Sequence, residues 1–466
     1  MLSGTSLTTI SSNNNINSIK IYKYRWMILA LFDLVSILNF MQLLQFSIIS
    51  NIISRFYNVE SFLVDLTGLI FFISYIILFY PISYLIEKYN LKLTVGCAML
   101  LTLAGNLLKL LSANPDRFWL VLLAQALIAI GQVYLYSIPS KLATTWFGSE
   151  EVSTACAIGV LGMQLGTALG CVQSPMIVKN ESSDVIQGQL FDMFLYQAIV
   201  SFVAFILVLC LFRRRPQLPP SQSQVDLLSN SDAPLPNFFE NMKKIGKNKN
   251  FWLIVFSLGL ANGVWNSFGI LLNTLYLHYF PTGENDAGLI ALITIISGGC
   301  IGSMIVGILL DKTHEFKKIS IFLLASSSLI YVGVIFTLVE KSRIGTFIVI
   351  PIFGFFLAPV LIVGFEYLVE ITYPISEACS ASAFNASYNL LGIVATLLLG
   401  ALYDSIGYFY TFVATFIIFA FATMTILFVK SDLRRRDANL HRSNANNTAM
   451  SNGFDVTNTT VSVAHF

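Results

Sequence analysis

Amide and aromatic side chains, rather than nucleophiles or charged groups, are the residues best suited to chemistry within the hydrophobic stretches of this chain. Polar side chains are costly in hydrocarbon, where they usually face a bundle interior or a water-filled path. One interpretation is hydrogen bonding between helices. The other interpretation is that the side chains line a central cavity. The first and seventh hydrophobic stretches carry polar residues at matching positions, which favours the cavity. These positions are Asn39, Gln42 and Gln45 in the first stretch, and Asn262, Trp265, Asn266 and Asn273 in the seventh.

Patterns that support catalysis or cofactor binding do not occur in the sequence. It contains no phosphate-binding loop and no HExxH zinc motif. Its four histidines lie away from the centres of the hydrophobic stretches. Its six cysteines all fall within such stretches without a CxxC pair, which is typical of packing residues rather than of a disulfide framework or a metal site. We therefore expect no enzymatic activity, no cofactor, no metal and no nucleic-acid partner.

The composition predicts a membrane protein in contact with the lipid bilayer. Of 466 residues, 56% are apolar and only 11% are charged, and the mean hydropathy is +0.74, whereas soluble domains are about a quarter charged. Twelve apolar runs are long enough to cross a bilayer, which takes about 20 helical residues. None alternates with period two, so they predict helices rather than barrel strands. The runs are 26–53, 61–86, 92–112, 118–140, 152–177, 189–213, 251–277, 287–311, 318–339, 345–369, 378–402 and 408–430.

The distribution of basic residues predicts the orientation of these helices. If both termini are cytoplasmic, most lysines and arginines fall on the inner side, as the positive-inside rule requires. The two ends of the sequence are polar, and a proline-rich stretch near its centre separates the first six spans from the last six. The predicted domains are a disordered tail 1–25, a six-helix bundle 26–213, a cytoplasmic linker 214–250, a second six-helix bundle 251–430 and a disordered tail 431–466.

A short sequence pattern occurs once in each half of the chain. Residues 83–89 match residues 307–313, and residues 146–150 match residues 373–377. Each copy is a polar link between two long apolar segments. Such a duplication predicts two related six-helix bundles, an arrangement typical of transporters that expose a central site alternately to either side of the membrane.

Charged residues cluster at the predicted inner ends of the spans, several of them within these repeated links. We expect a cytoplasmic gate, in which carboxylates cap neighbouring helices or pair with lysines in one of two states. A proton relay is the less favoured interpretation. On the outer side, Asn180 begins an Asn-Glu-Ser glycosylation sequon, and Lys109 is expected to snorkel towards the interface. The predicted gate residues are Glu87, Lys88, Lys141, Asp311, Lys312, Glu366 and Glu370.

Two sets of motifs carry a resemblance to known transporters. The Gly-x-x-x-Asp-Lys pattern of Gly307–Lys312 resembles the loop signature of the major facilitator superfamily. The run from Trp146 to Gly166, which includes Glu151–Cys156, is similar to the feline leukaemia virus subgroup C receptor (FLVCR) family of haem and choline transporters. The resemblance extends over residues 22–436. It implies an all-α membrane protein with 12 transmembrane helices, a 6+6 pseudo-symmetric arrangement and cytoplasmic termini.

The resemblance also implies a central substrate site, where family members hold the choline ammonium in an aromatic cage flanked by amides. Aromatic faces suit a cation that has no N–H donors. This chain has Leu43 at the position of a cage Trp and Asn266 at that of a Tyr, while Trp265 is kept. Either other aromatic residues, Phe46 and Tyr388 among them, close the cage, or the substrate differs. The expected site residues are Asn39, Gln42, Leu43, Phe46, Gln164, Trp265, Asn266 and Asn389.

The leading hypothesis is a facilitative carrier that moves a small organic solute, a choline- or ethanolamine-like amine, by alternating access. For a monovalent cation the membrane potential supplies about 2.3 kcal/mol per 100 mV, so uptake through an uncharged site needs no coupling ion. Haem export is the alternative, although no histidine lies in the central spans to ligate iron. A non-transporting membrane receptor is a third hypothesis. We expect a monomer in the plasma membrane, with an organelle membrane left open.

Overall fold

The computed structural model describes residues 20–136, 138–148, 151–220, 238–373, 375 and 377–430. Parts of the predicted tails and linker, namely 1–19, 221–237 and 431–466, lie outside these residues. The described chain is almost entirely helical and contains no strand. A helix satisfies every backbone N–H and C=O group within its own segment, which hydrocarbon demands.

The long helical passages of the first half run alternately between two faces of the molecule, and some passages consist of two consecutive helices. We call the face at which the first helix begins the near face, and the opposite one the far face. A short 3₁₀ turn, Ser47–Ile49, precedes the second helix. The helices are α1 Arg25–Phe40, α2 Ser50–Tyr57, α3 Ser61–Lys88, α4 Leu91–Ser112, α5 Phe118–Tyr136, α6 Ile138–Trp146, α7 Val152–Ile177 and α8 Ser183–Leu211.

The second half repeats this alternation after a short helix, α9 Phe238–Gly246. Two stretches of π-helix, Val255–Gly259 and Ile295–Gly302, interrupt its first two passages. Such π turns inside α-helices are frequent at functional sites. The helices are α10 Lys249–Ile254, α11 Leu260–Tyr279, α12 Glu284–Thr294, α13 Ser303–Thr313, α14 Phe316–Val339, α15 Arg343–Leu357, α16 Val360–Thr372, α17 Glu377–Ile406 and α18 Tyr408–Leu427.

Eleven helical stretches among the described residues are long and apolar enough to cross a membrane. They overlap the second to twelfth predicted runs. The first run, 26–53, is not one continuous helix, because α1 ends at Phe40 and α2 begins at Ser50. Nε2 of Gln125 on α5 donates to the Gln42 carbonyl oxygen at 3.1 Å. This bond satisfies a backbone group that the interrupted helix would otherwise leave unpaired in an apolar environment.

Each half packs mainly with itself, and the halves meet along two equivalent helix pairs. In the first half α4 packs against α5 and α8, and α1 packs against α7; in the second, α11 packs against α17, and α14 against α15 and α18. Between the halves, α7 packs against α12 and α3 against α17. In each pair a helix late in one half meets the second long passage of the other, as a duplicated architecture requires.

Large apolar side chains cover the outside of the bundle. Leu329, Ile344 and Phe336 are 74%, 76% and 64% exposed. In water a surface of this extent would associate, whereas in a bilayer lipid tails solvate it. Packed and lipid-facing positions are therefore both apolar, and hydropathy alone does not indicate which side of a helix faces the bundle.

Glycines permit the closest helix contacts in the second half. A Cβ built on Gly298 would lie 2.2 Å from the Gly354 carbonyl oxygen of α15, and one built on Gly263 of α11 would lie 2.8 Å from the Gly392 nitrogen of α17. No real side chain fits at these distances, so the backbones touch directly. Small residues at crossings are a main device of helix association in lipid. Here they hold α11, α15, α17 and the second π-helix together.

Candidate functional site

At the far face, a buried asparagine on α11 joins the two halves. Nδ2 of Asn273 donates to the Ile48 carbonyl oxygen at 2.7 Å, and its Oδ1 accepts from Ser50 Oγ at 2.9 Å. Asn273 is fully buried, and Ser50 is 3% exposed. Both bonds are therefore shielded from water and exist only while the two halves are in contact here.

Polar residues at helix ends and in the loop after α7 extend this closure to the far surface. Asn51 and Asn180 each donate an amide N–H to Glu284 Oε1, at 3.0 Å and 3.2 Å. The Lys179 ammonium donates to Asn285 Oδ1 at 3.1 Å. We call this group the far-face clasp; its members are Ser50, Asn51, Lys179 and Asn180 of the first half, and Asn273, Glu284 and Asn285 of the second.

The lysines predicted to form a gate lie at the near face. Lys141 Nζ donates to the Ile86 carbonyl oxygen and so joins α6 to α3 within the first half. Lys88 is exposed beside the rings of Tyr84 and Tyr89, and Lys312 is also exposed. These positions are compatible with contacts that form only when the near face closes.

The acidic members of the predicted gate lie at the same face. Glu366 and Glu370 are partly buried on the last turns of α16. The side chains of Glu87 and Asp311 lie outside the described part of the structure. The gating role of all these residues stays a prediction.

Asn39 and Gln42, expected to contact substrate, lie inside the first half. Nδ2 of Asn39 donates to Thr102 Oγ1 at 2.8 Å and to the Ile128 carbonyl oxygen at 3.0 Å. Oε1 of Gln42 accepts from Lys109 Nζ at 2.6 Å. Asn39 is 0% and Gln42 1% exposed. In this conformation the two amides hold the first span against α4 and α5 rather than face the second half.

The expected snorkelling of Lys109 is wrong. Its side chain is fully buried, and its Nζ lies 2.6 Å from Gln42 Oε1, 3.3 Å from Gln45 Oε1 and 5.0 Å from the centre of the Phe46 ring. Two amide oxygens and an aromatic face at the break of the first span replace the water that the ammonium would find at the interface. Phe46, another expected substrate contact, is thereby turned into the first half.

The unwound segment between α1 and the 3₁₀ turn contains two adjacent leucines with different surroundings. Leu43, at the cage position, is partly buried and packs among residues that include Phe71 and Ile128. Leu44 approaches α11 where that helix has no side chain: a Cβ built on Gly269 would lie 3.5 Å from Leu44 Cδ1. This contact lies just on the near side of the far-face clasp, so the closed region begins at Leu44.

Trp265 and Asn266 lie partly buried at mid-depth on α11. The Trp265 ring is tilted against Phe353, with ring centroids 6.3 Å apart. Asn266 lies beside α17, where a Cβ built on Gly392 would be 3.7 Å from the Asn266 Cβ. Both side chains are therefore supported by the close-packed second half while part of their surface stays accessible.

Gln164 on α7 reaches the second half at a glycine of the π-helix. A Cβ built on Gly299 would lie 3.1 Å from Gln164 Oε1, and Gln164 is partly buried. The residue thus contributes to the contact between α7 and the π-helix that follows α12. Of the expected site residues, Gln164, Trp265 and Asn266 share this partial exposure at mid-depth.

Tyrosines that no sequence pattern groups together lie where α3 and α5 meet α17. The rings of Tyr75 and Tyr136 stand edge to face with centroids 5.4 Å apart. The Tyr75 hydroxyl lies close to the side chains of Ser382 and Asn385 of the other half. Tyr388 on α17 lies close to both phenols. These residues come from three separate helices, so their spacing along the chain carries no signal of their proximity.

Asn389 connects the expected site to these tyrosines. Its Nδ2 donates to Asn385 Oδ1 at 3.1 Å. Phe40, at the end of α1, packs edge to face on Tyr136 with centroids 5.2 Å apart. We call Tyr75, Tyr136, Tyr388, Asn385 and Asn389 the tyrosine–amide cluster. It contains no carboxylate or amine and presents hydroxyl, amide and aromatic groups at the contact of the two halves.

Comparison with known proteins agrees with this architecture. Residues 34–396 match the model of the Major Facilitator Superfamily. The chain belongs to this superfamily. It is 35% identical over 432 residues to "Choline/ethanolamine transporter flvcr2a" of Danio rerio, covering 91% of this chain and 90% of that protein. It is 33% identical over 433 residues to "Choline/ethanolamine transporter FLVCR2" of Homo sapiens, covering 92% and 81%.

These identities place the major facilitator chain in the FLVCR family and confirm the resemblance carried by its motifs. The family consists of multi-pass membrane transporters, not enzymes. Among solved structures, a bacterial homolog of the human lysosomal transporter Spinster superposes with a TM-score of 0.63 at 14% identity, covering 88% of this chain and 95% of that one. At that identity the similarity concerns the fold alone.

Proposed function

We propose that this FLVCR-family transporter is a facilitative carrier for a choline- or ethanolamine-like amine. The observation that carries the proposal is the tyrosine–amide cluster at the contact of α3, α5 and α17. Aromatic faces attract a quaternary ammonium, and amide and phenol oxygens can accept a hydrogen bond from the substrate hydroxyl. The named functions of the zebrafish and human relatives support the same class of substrate.

The cluster replaces the aromatic faces that this chain lacks at Leu43 and Asn266. In the proposed site, side chains at the contact of the two halves bind the substrate, whereas those whose contacts lie inside the first half hold the first span in place. Asn39, Gln42 and Phe46 belong to the second group, because their contacts lie inside the first half. The proposed contact residues are Leu43, Gln164, Trp265, Asn266 and Asn389, together with Tyr75, Tyr136 and Tyr388.

The proposed transport cycle alternates closure of the two faces. The far-face clasp is closed in this conformation. When it opens, the near-face gate closes through Glu87, Lys88, Lys141, Asp311, Lys312, Glu366 and Glu370. We propose that the broken first segment also crosses the membrane and brings the number of spans to twelve. We further propose that the near face and both termini are cytoplasmic, and that the chain acts as a monomer in the plasma membrane. Asn180 then lies outside the cell and is a candidate for glycosylation.

Uptake of radiolabelled choline and ethanolamine by cells that express the protein tests the substrate. Tyr75→Leu removes an aromatic face and should raise the choline KM about 5- to 30-fold, since a desolvated cation–π contact contributes about 1–2 kcal/mol. Tyr75→Phe keeps the ring and should retain most of the affinity. Tyr196→Leu is the matched control, because Tyr196 is 54% exposed on α8.

Two results would change this proposal. Equal choline KM values for Tyr75→Leu and Tyr196→Leu would remove the cluster from the substrate site. Transport of haem without transport of either amine, measured in the same cells, would replace the amine by a porphyrin cargo.

A further inference from the structure

Lys109 places its amine in the interior of the first half. It lies one turn before the end of α4, yet its side chain turns inwards and is fully buried. Within the described chain no carboxylate forms an ion pair with it. An ionisable side chain buried inside a membrane protein is costly to charge and is by default a sign of function.

The groups around the Lys109 ammonium all belong to one short segment. Gln42 Oε1 accepts at 2.6 Å, Gln45 Oε1 accepts at 3.3 Å, and the Phe46 ring centre lies 5.0 Å away. This segment directly follows the C-terminal end of α1, which ends at Phe40. The C-terminal end of a half-helix bears partial negative charge. In carriers with broken helices, such ends and the unwound chain beside them coordinate transported cations.

The same segment leads directly into the far-face clasp. Leu44 meets α11 at Gly269, the Ile48 carbonyl oxygen accepts from Asn273, and Ser50 donates to Asn273. The shape of the segment therefore determines where the first-half partners of Asn273 lie. A side chain that fixes one end of the segment also affects the closure formed at its other end.

We propose that Lys109 is a resident cation, which occupies the break of the first span in place of a transported ion and positions that segment for closure of the far face. The proposal rests on the proposed alternating-access function but not on the identity of the substrate. Lys109 acts through Gln42 and Gln45, so it is a positioning residue and not a substrate contact.

Accessibility of the closed end provides a test independent of transport. Thr274 on α11 faces Ser50 across the clasp, with its Oγ1 3.4 Å from Ser50 Oγ. Thr274→Cys in the full chain reports closure through its rate of labelling by a membrane-impermeant thiol reagent, with the chain lacking this substitution as background. The control for Lys109→Met is Lys92→Met, which makes the same substitution on the same helix. Lys92 bonds only to the Leu209 carbonyl oxygen.

Labelling and transport are both normalised to the amount of protein at the cell surface. Lys109→Met should raise the labelling rate about fivefold or more and lower Vmax per surface molecule with little change in KM. A purely structural lysine would change the amount of surface protein and leave both normalised values as in Lys92→Met; that result overturns the proposal. Unchanged closure with altered substrate preference would also overturn the proposal, and would make Lys109 part of the substrate site of the proposed function instead.

A milder variant tests the proposal even if Lys109→Met folds poorly. Gln45→Leu removes the longer of the two Lys109 bonds, together with the weak contacts of Gln45 Nε2 with Met193 and Gln197, and leaves the 2.6 Å bond between Lys109 and Gln42 intact. It should give an intermediate rise in the labelling rate of the Thr274→Cys reporter. A labelling rate equal to that of the reporter chain without Gln45→Leu would contradict the proposal.

Discussion

Asn273→Leu removes two hydrogen bonds between the halves with little change in side-chain volume. Asn273 donates to the Ile48 carbonyl oxygen at 2.7 Å and accepts from Ser50 Oγ at 2.9 Å. When the far face opens, water can satisfy the same groups. The loss of the two hydrogen bonds therefore destabilises the closed state alone. A net hydrogen bond contributes about 0.5–1.5 kcal/mol. We therefore expect the closed state to lose about 1–3 kcal/mol relative to the open one, a shift of roughly 5- to 150-fold in their ratio.

The Thr274→Cys reporter measures this shift directly. If the far face is mostly closed, the rate of labelling by an impermeant reagent follows the open fraction and should rise by the same factor. Vmax for uptake should fall, because the return of the open state to the closed one becomes less favourable.

Asn262→Leu is the matched control for this experiment. Asn262 lies on the same helix and is 2% exposed, but its Nδ2 donates only to the Leu258 carbonyl oxygen of its own segment, at 2.8 Å. Asn262→Leu should leave the labelling rate of the Thr274→Cys reporter unchanged. An equal rise in both variants, or no rise in Asn273→Leu, would refute the inference that Asn273 holds the far face closed.

Three further predictions concern packing, driving force and modification. Gly298→Ala should sharply lower the amount of folded protein in the membrane, because its Cβ would lie 2.2 Å from the Gly354 carbonyl oxygen and overpacking costs about 1–3 kcal/mol or more; Gly188→Ala, with nothing within 4 Å, should not. Depolarisation by external K⁺ should slow choline uptake, since a potential of 100 mV supports an inside-to-outside concentration ratio of roughly 50 for a monovalent cation. Uptake that does not depend on the potential would contradict cation uniport. Asn180→Gln should abolish a glycosidase-sensitive shift in electrophoretic mobility, and identical mobilities before and after glycosidase would show that Asn180 is unmodified.

Hydropathy predicts most of the spans because the bilayer imposes a length and an apolar composition on each. The run 152–177 coincides with Val152–Ile177, and the run 61–86 falls within Ser61–Lys88. The break in the first run has no such local signal. It is stabilised by Gln125 on α5 and Lys109 on α4, and their proximity to the first span depends on how three helices pack.

The directions of the polar side chains are harder to predict than their presence. Asn39 and Gln42 share one side of the first span, but the neighbouring helices decide whether that side faces the second half or the interior of the first. Thr102 and Lys109 supply partners for them in the interior. On α11, Asn266 is partly exposed at mid-depth, whereas Asn273, seven residues on, forms part of the clasp. Two asparagines of one helix thus have different surroundings.

The composition of the far-face clasp suits a carrier that opens without a coupled ion. Glu284 contacts two amides and Lys179 contacts a third, so no carboxylate is paired with a lysine in the clasp. Exposed polar contacts contribute about 0–1 kcal/mol each, and the buried bonds of Asn273 about 0.5–1.5 kcal/mol each. Their sum, roughly 1–6 kcal/mol, does not substantially exceed the 5.5 kcal/mol or so that inverts a two-state equilibrium from 1:99 to 99:1. Differential binding of one small cation can offset a clasp of that strength, whereas a network of buried ion pairs would require an additional source of free energy.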